Sequence, residues 1–247
     1  MPNIHSTISF GLVNIPVVMN SIIYDNDVSF HQLHKKCLRR IKYIKYCPHC
    51  KVDVKQTDIV KGFEYEKEKH IVFSKQELDR LKPENDGVLD IVSFVSLKEI
   101  DPIYFEKSYF LAPEKKSKAY SLFCKALEKS NLVALCKTVL HSKFYYAIIR
   151  PVSEGIVLTT LFFDEEISFE GIKNKVKVDT KELNLAMRLI LQMKEKFDPT
   201  LYKDEYQNNV SKAIGAKLKG EKVKGKRKKN TLKANDLMKA LEKSLKS

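Results

Sequence analysis

The sequence predicts an α+β fold, rich in β structure, that passes into a helical region and ends in a basic tail. Three observations lead there. Short runs with alternating apolar residues recur up to Phe163 with turn residues between them. The periodicity becomes helical near Asp179. Charge is unevenly placed: 45 Lys and Arg against 31 Asp and Glu give the 247-residue chain +14. Residues 211–247, with 13 Lys and Arg against Glu221, Asp236 and Glu242, hold +10 of it, leaving +4 for residues 1–210. With 43% hydrophobic residues, 13 Phe and 11 Tyr, there is enough apolar material to offset ordering entropy, so a chain disordered throughout is excluded. The expected division is a β core over residues 1–178, a helical region over 179–220 and a tail over 221–247.

In chain order, Ile4, Ile8, Phe10, Ile15, Val17, Met19 and Ile23 alternate on either side of a turn at residues 11–14, which makes residues 4–24 a strand pair. Residues 58–73 are β-rich through Phe63, Tyr65 and Ile71-Val72-Phe73, with Gly62 as a bulge or turn. Ser74 with Glu77 is a capping box that opens a short helix ended by Pro83, and residues 88–95 return to strand. In residues 115–130, Ala119, Leu122, Phe123, Ala126 and Leu127 form one helical stripe with Cys124 beside it as a packed thiol. Three strands follow at 132–140, 144–149 and 156–163, with Cys136 in the core. Short strands at such spacing make a barrel or a sandwich.

Past Asp179 or Thr180 as cap, Leu183, Ala186, Met187, Ile190, Leu191 and Phe197 share a helical face that stops at Asp198-Pro199, and a second helix spans 204–218. Residues 221–230 are a low-complexity basic linker, expected to be disordered. Beyond it Leu237, Met238, Leu241 and Leu245 fall at helical spacing, a short amphipathic helix that needs a partner to bury its stripe. The first 30 residues lack the basic and apolar regions of a signal peptide, and no run of about 18 apolar residues exists. A cytoplasmic protein with no membrane contact is expected, and its five cysteines read as thiols or metal ligands rather than disulfides.

The strongest local motif is His34-Lys-Lys-Cys37 followed by Cys47-Pro-His-Cys50. Two pairs of borderline-soft ligands, each separated by two residues, can present a closed tetrahedral set to a structural Zn²⁺, with His49 or His31 as substitutes for His34. Around and between them stand Lys35, Lys36, Arg39, Arg40, Lys42 and Lys45, read either as a phosphate-contacting arm or as a solvated polar face. Residues 31–55 are thus expected to form a zinc-ribbon-like arm, and Lys226, Arg227, Lys228 and Lys229 add DNA-binding charge in the tail. Nothing catalytic emerges. Phosphate-loop, dinucleotide, zinc-protease and nucleophile-elbow motifs are all missing, and His5, His31, His34, His49, His70 and His141 have no nucleophile partner. The acids Glu165 and Glu166, or Glu64, Glu66 and Glu68, read as turn and exposed-strand charges, so no enzyme activity is expected.

Five blocks then occur in order: Ile8-Ser-Phe-Gly-Leu-Val-Asn-Ile-Pro-Val17, Phe30-His-Gln-Leu-His-Lys-Lys36, Asp58-Ile-Val-Lys-Gly-Phe-Glu-Tyr65, Glu99-Ile-Asp-Pro-Ile-Tyr-Phe105 and Ser108-Tyr-Phe-Leu-Ala-Pro113. Together they resemble the prokaryotic Ku proteins of DNA end joining, over about residues 4–220. The resemblance implies a Ku-type β-barrel core whose homodimer forms a ring. The ring threads onto double-stranded DNA ends without sequence preference and recruits and stimulates the bacterial end-joining DNA ligase, in a cytoplasmic, nucleoid-associated setting. The ligase-contacting surface is then either the 204–218 helix, as the family pattern implies, or the stripe of Leu237, Met238, Leu241 and Leu245. His5 and Thr7 depart from the family's usual Trp and Gly, a difference that bears on first-strand packing and not on fold. Many relatives keep only the later cysteine pair, so the His34 and Cys37 half of the zinc site rests on spacing. The competing readings are a zinc-ribbon nucleic-acid-binding accessory protein, ribosomal or transcriptional, which leaves the β core without a role, and a metal-dependent nuclease.

Overall fold

The computed structural model describes residues 4–24, 27–84, 87–169 and 177–222. They fall into two compact units, one of residues 4–24 and 32–169, the other of 27–31 and 177–222. The first unit is built on a closed barrel of β1 (Ile4–Phe10), β2 (Val13–Ser21), β7 (Val88–Val95), β8 (Phe105–Pro113), β9 (Val133–Leu140), β10 (Lys143–Val152) and β11 (Gly155–Leu161). Their order around the barrel is β1-β2-β8-β11-β10-β9-β7. Every pair is antiparallel except β1 with β7, which close the barrel in parallel through Thr7↔Val88, Ile8↔Leu89 and Ser9↔Asp90. Closure leaves the sheet no free edge.

The period-2 pattern supplies the interior. Ile8, Ile15, Val17, Met19, Leu89, Leu111, Ala134, Cys136, Ala147, Ile149, Ile156 and Leu158 form one buried cluster. Helix α2 (Lys118–Ser130) adds Tyr120, Phe123 and Leu127 to it, with Phe10 and Phe123 rings 5.3 Å apart. The Tyr120 hydroxyl donates to the Leu111 carbonyl at 2.6 Å. Gly155, at φ +145°, lies beneath that hydroxyl, where any Cβ would stand 2.7 Å from it. Burial pushes the Cys136 thiol up to about 12, and Cys124 is half-buried against the same core, so both act as packed thiols.

Two prolines sit inside strands without breaking a ladder. Pro16 in β2 precedes the first β8 partner, Val17↔Pro113, and Pro151 in β10 lies beyond the last β9 partner, Ile149↔Ala134. Each therefore lacks a neighbour on one side, where a missing N–H costs nothing. For that reason β10 runs on to Val152 rather than stopping at Ile149.

Other boundaries differ from the sequence expectation for local reasons. The first hairpin turns in two residues, Gly11 and Leu12, not over 11–14. Residues 58–73 contain the hairpin of β5 (Lys61–Glu66) and β6 (Lys69–Phe73), and the bulge lies between Glu64 and Glu66, not at Gly62, which pairs with Val72. Its turn is stabilised by Glu64, whose Oε1 accepts from the Glu68 amide at 2.9 Å while Glu68 takes φ +65°. Helix α2 starts at Lys118 because Ser117 caps it, accepting from the Tyr120 amide at 3.2 Å.

In the second unit, α3 (Thr180–Gln192) is capped by Asp179 as expected but ends short of Phe197. Phe197 instead stacks on Tyr202, centroids 5.5 Å apart, across the 3-10 turn Pro199–Leu201 that Asp198 caps. Helix α4 (Glu205–Leu218) starts at its Asp204 cap, and its Gln207 holds the 27–31 segment, accepting from the Val28 amide and donating to Asp27. Neither helix buries a residue. Among the described residues no helix is long and apolar enough to cross a membrane.

Candidate nucleic-acid interface

Between β2 and β7 the chain makes a long insertion, residues 22–84, in which no described residue is buried. It holds β3 (Tyr46–Cys47), β4 (Val52–Asp53), the β5–β6 hairpin and α1 (Lys75–Arg80). Short-range hydrogen bonds shape it. The capping box at α1 is formed as expected, the Ser74 hydroxyl accepting from the Glu77 amide at 3.2 Å and the Glu77 carboxylate from the Ser74 amide at 2.8 Å. The Ser74 hydroxyl also donates to that carboxylate and holds Glu77 below the usual carboxylate range.

Two turns of the same construction define the front of the insertion. In the first, the Leu38 amide donates to the His34 carbonyl at 2.8 Å and Leu38 takes φ +56°. In the second, the Lys51 amide donates to the Cys47 carbonyl at 2.8 Å and Lys51 takes φ +53°. Each turn places its motif pair together: His34 Nδ1 is 3.2 Å from Cys37 Sγ, and the Cys50 amide lies 3.5 Å from Cys47 Sγ. That amide draws the Cys47 thiol below its ordinary 9.0, and hydrogen bonding to Cys47 pushes Cys50 above it. Among the described residues no three His, Cys, Asp or Glu side chains stand close enough to form one metal group. The structure thus joins the four expected ligands as two pairs. His49 Nδ1 lies 3.9 Å from Cys50 Sγ, and His31 is exposed outside both turns.

The cations ride on these turns. Lys35, Lys36, Arg39, Arg40, Lys42 and Lys45 are all exposed, and Leu33↔Arg40 bridge across the first turn. Tyr43 donates to Gln32 and Lys45 to Gln56, fastening the strip between the turns. Lys51, which the sequence reading passed over, belongs with them: it is exposed at the tip of the second turn. The available signal was charge alone, because residues 28–52 contain seven Lys and Arg and no Asp or Glu. Among the described residues none of the seven is in an ion pair. Unpaired cations on a scaffold without acids repel one another and favour a polyanion, whose backbone releases counterions as they bind.

Glu64, Glu66, Glu68, Glu165 and Glu166 are exposed on a hairpin and a 3-10 turn, as expected for plain surface charge. Lys226, Arg227, Lys228, Lys229, Leu237, Met238, Leu241 and Leu245 lie outside the described residues.

Comparison with known proteins supplies the context. The profile of the Ku70/Ku80 beta-barrel domain matches residues 9–185. A protein of Desulfitobacterium hafniense named "Non-homologous end joining protein Ku" is 38% identical over 242 residues, covering 97% of this chain and 85% of its own. The protein of that name from Lachnoclostridium phytofermentans is 38% identical over 243 residues, 98% of this chain and 95% of its own. The Bacillus subtilis protein of that name is 36% identical over 219 residues, 86% of this chain and 70% of its own.

Proposed function

The chain belongs to the bacterial Ku family, and on that premise we propose that two copies close into a ring that threads onto a linear DNA duplex. Family membership makes it a DNA-end-binding factor of non-homologous end joining with no reaction of its own. The observation that carries the interface is the strip of seven unpaired cations on residues 28–52. Such a strip grips phosphates and reads no sequence, so preference for ends has to come from topology. A second copy supplies what one chain lacks: an insertion with no buried residue among those described gains a core only against a partner, and a twofold dimer encloses what a single barrel cannot.

His34, Cys37, Cys47 and Cys50 are the residues that would hold a structural Zn²⁺. Their donor set and matched turns fit such an ion pair by pair, and the ion would pin the two turns together as a zinc-ribbon-like arm. Lys226, Arg227, Lys228 and Lys229 in the 221–247 tail add non-specific affinity. Recruitment of the end-joining ligase falls to the exposed face of α4 or to Leu237, Met238, Leu241 and Leu245.

The test is a gel shift with one duplex in linear and covalently closed form. The ring requires a preference of at least about tenfold for the linear form, some 1.4 kcal/mol. Equal affinity overturns it and returns the protein to a zinc-ribbon accessory factor that binds nucleic acid along its length.

A further inference from the structure

The closed barrel has two ends that differ. At one, where β1 ends at Phe10, α2 packs Tyr120, Phe123 and Leu127 onto the core with Phe123 against the Phe10 ring. At the other, where β1 begins and β2 and β9 end, the interior opens into a cavity of about 600 Å³ walled by Ile4, Met19 and Leu140. That volume lies within the roughly 300–1,000 Å³ of small-molecule sites.

Beside Ser21, Ile23, Ser108 and His141, the rest of the lining carries the groups that narrow the chemistry. Tyr109 and Tyr145 bring two aromatic rings, and Glu106 and Lys107 bring opposite charges. Glu106 is held as an acceptor beside Thr160, whose hydroxyl donates to Oε2 at 3.0 Å. Lys143 stands with Nζ 5.1 Å over the centroid of Tyr145 and 3.3 Å from Glu166, so a second cation is fixed at the ring. An aliphatic chain leaves the Glu106 carboxylate and the Lys107 ammonium without a partner in the cavity. A lone ammonium meets two cations, and a simple carboxylate meets Glu106. A heteroaromatic base with a phosphate answers all three, stacking on tyrosine, donating N–H to the carboxylate and presenting anionic oxygens to the lysines.

We propose that the open barrel mouth is a nucleotide pocket, which takes a base against Tyr109 and Tyr145 and its phosphate beside Lys107 and Lys143. The ligand is a free mononucleotide or the unpaired terminal nucleotide of a DNA strand. The second source rests on the DNA-end reading above, and the first stands without it.

The test uses the full chain and deoxyadenosine 5′-monophosphate, followed by calorimetry and ligand-observed NMR, with 2-deoxyribose 5-phosphate as the base-free control. Saturable binding of the nucleotide, stronger than the control, is expected. It weakens roughly fivefold or more in Tyr145→Leu, as loss of a stacking ring requires, and in Lys143→Ala, and it recovers in Tyr145→Phe, which keeps the ring. Thermal melts of the three variants establish that each is folded. No saturable binding to the unaltered protein at about 10 mM, or equal binding to nucleotide and control, overturns the proposal. So does unchanged affinity in a folded Tyr145→Leu.

Linear duplexes, blunt or with one unpaired 3′ nucleotide, separate the sources. An overhang preference lost in Tyr145→Leu assigns the pocket to strand termini. Nucleotide binding without that preference assigns it to free nucleotide. Linear and closed duplexes are compared in the same protein, where loss of the end preference sinks the ring and leaves the pocket standing.

Discussion

The barrel and the insertion between β2 and β7 use similar apolar residues to opposite effect. Ile148, Ile149 and Leu158 are fully buried, whereas in the insertion Tyr43 is 82%, Ile44 68% and Phe63 63% exposed. The barrel is held by its interior. The insertion is held by turns, a capping box and a two-stranded hairpin, which is marginal alone in water. One region is complete in a single chain and carries the stability, and the other presents apolar and cationic groups outward, as the proposed recognition surface requires.

Truncation breaks this comparison most directly. Leu158→Ala leaves a cavity in the fully buried cluster and is expected to cost about 2–5 kcal/mol in urea unfolding. Phe63→Ala is expected to stay within about 0.5 kcal/mol in dilute protein. If the second change unfolds the barrel as the first does, the insertion is part of the core and the distinction fails. If its cost grows with protein concentration, the lost contacts belong to a second copy.

Alkali separates the regions next. The folded value of Cys136, about 12, is raised above the ordinary 9.0 by burial, so its contribution is complete below pH 9. Between pH 9 and 12 the unfolded chain ionises first, and stability drains at up to about 1.4 kcal/mol per pH unit. Cys136→Ala is expected to flatten that part of the pH–stability curve. A slope in Cys136→Ala equal to that of the unaltered protein would contradict the assignment.

How much of this could be read in the sequence follows the same division. Strands β1 and β2 were legible because burial on one face writes a period-2 pattern, β9 and β11 because their apolar runs are bounded by turn residues, and the caps at Ser74 and Asp179 because a side chain bonds its own helix. Strand β8 was not assigned: Tyr109, Phe110, Leu111 and Ala112 run together without alternation, and none of the four is exposed on either face of the strand. The parallel closure of β1 on β7 joins strands separated by the whole insertion, and no local pattern encodes it. At the interface the cations and the two motif pairs were legible from charge and spacing. The distance between the pairs was not, because convergence depends on the fold of the chain between them. The barrel mouth was invisible, since its residues come from β1, β2, β8, β9 and β10 and from the turns beyond them.

A smaller effect sharpens the claim that local bonds hold the insertion. Ser74→Ala removes the hydroxyl's half of the capping box at α1, together with its bond to the Glu77 carboxylate, and is expected to cost that helix about 1 kcal/mol. The loss should appear as faster amide hydrogen exchange in residues 75–80 while the barrel amides keep their protection. Equal acceleration in both would mean that they unfold as one cooperative unit.

The smallest expected effect tests recognition itself. Arg40→Ala removes one exposed cation that has no ion-pair partner among the described residues, so these lose no charge contact. Its effect on linear DNA is expected to be about fivefold in affinity, just under 1 kcal/mol, with the slope of log affinity against log salt reduced by about 0.9 for the one phosphate released. Lys129→Ala on α2 removes the same charge from the barrel region and should move neither quantity. If both substitutions lower the slope equally, the interface is the protein's diffuse positive field. If only Arg40→Ala does, the arginine meets a phosphate at a defined place on the insertion, and that difference assigns recognition to the region without a core of its own.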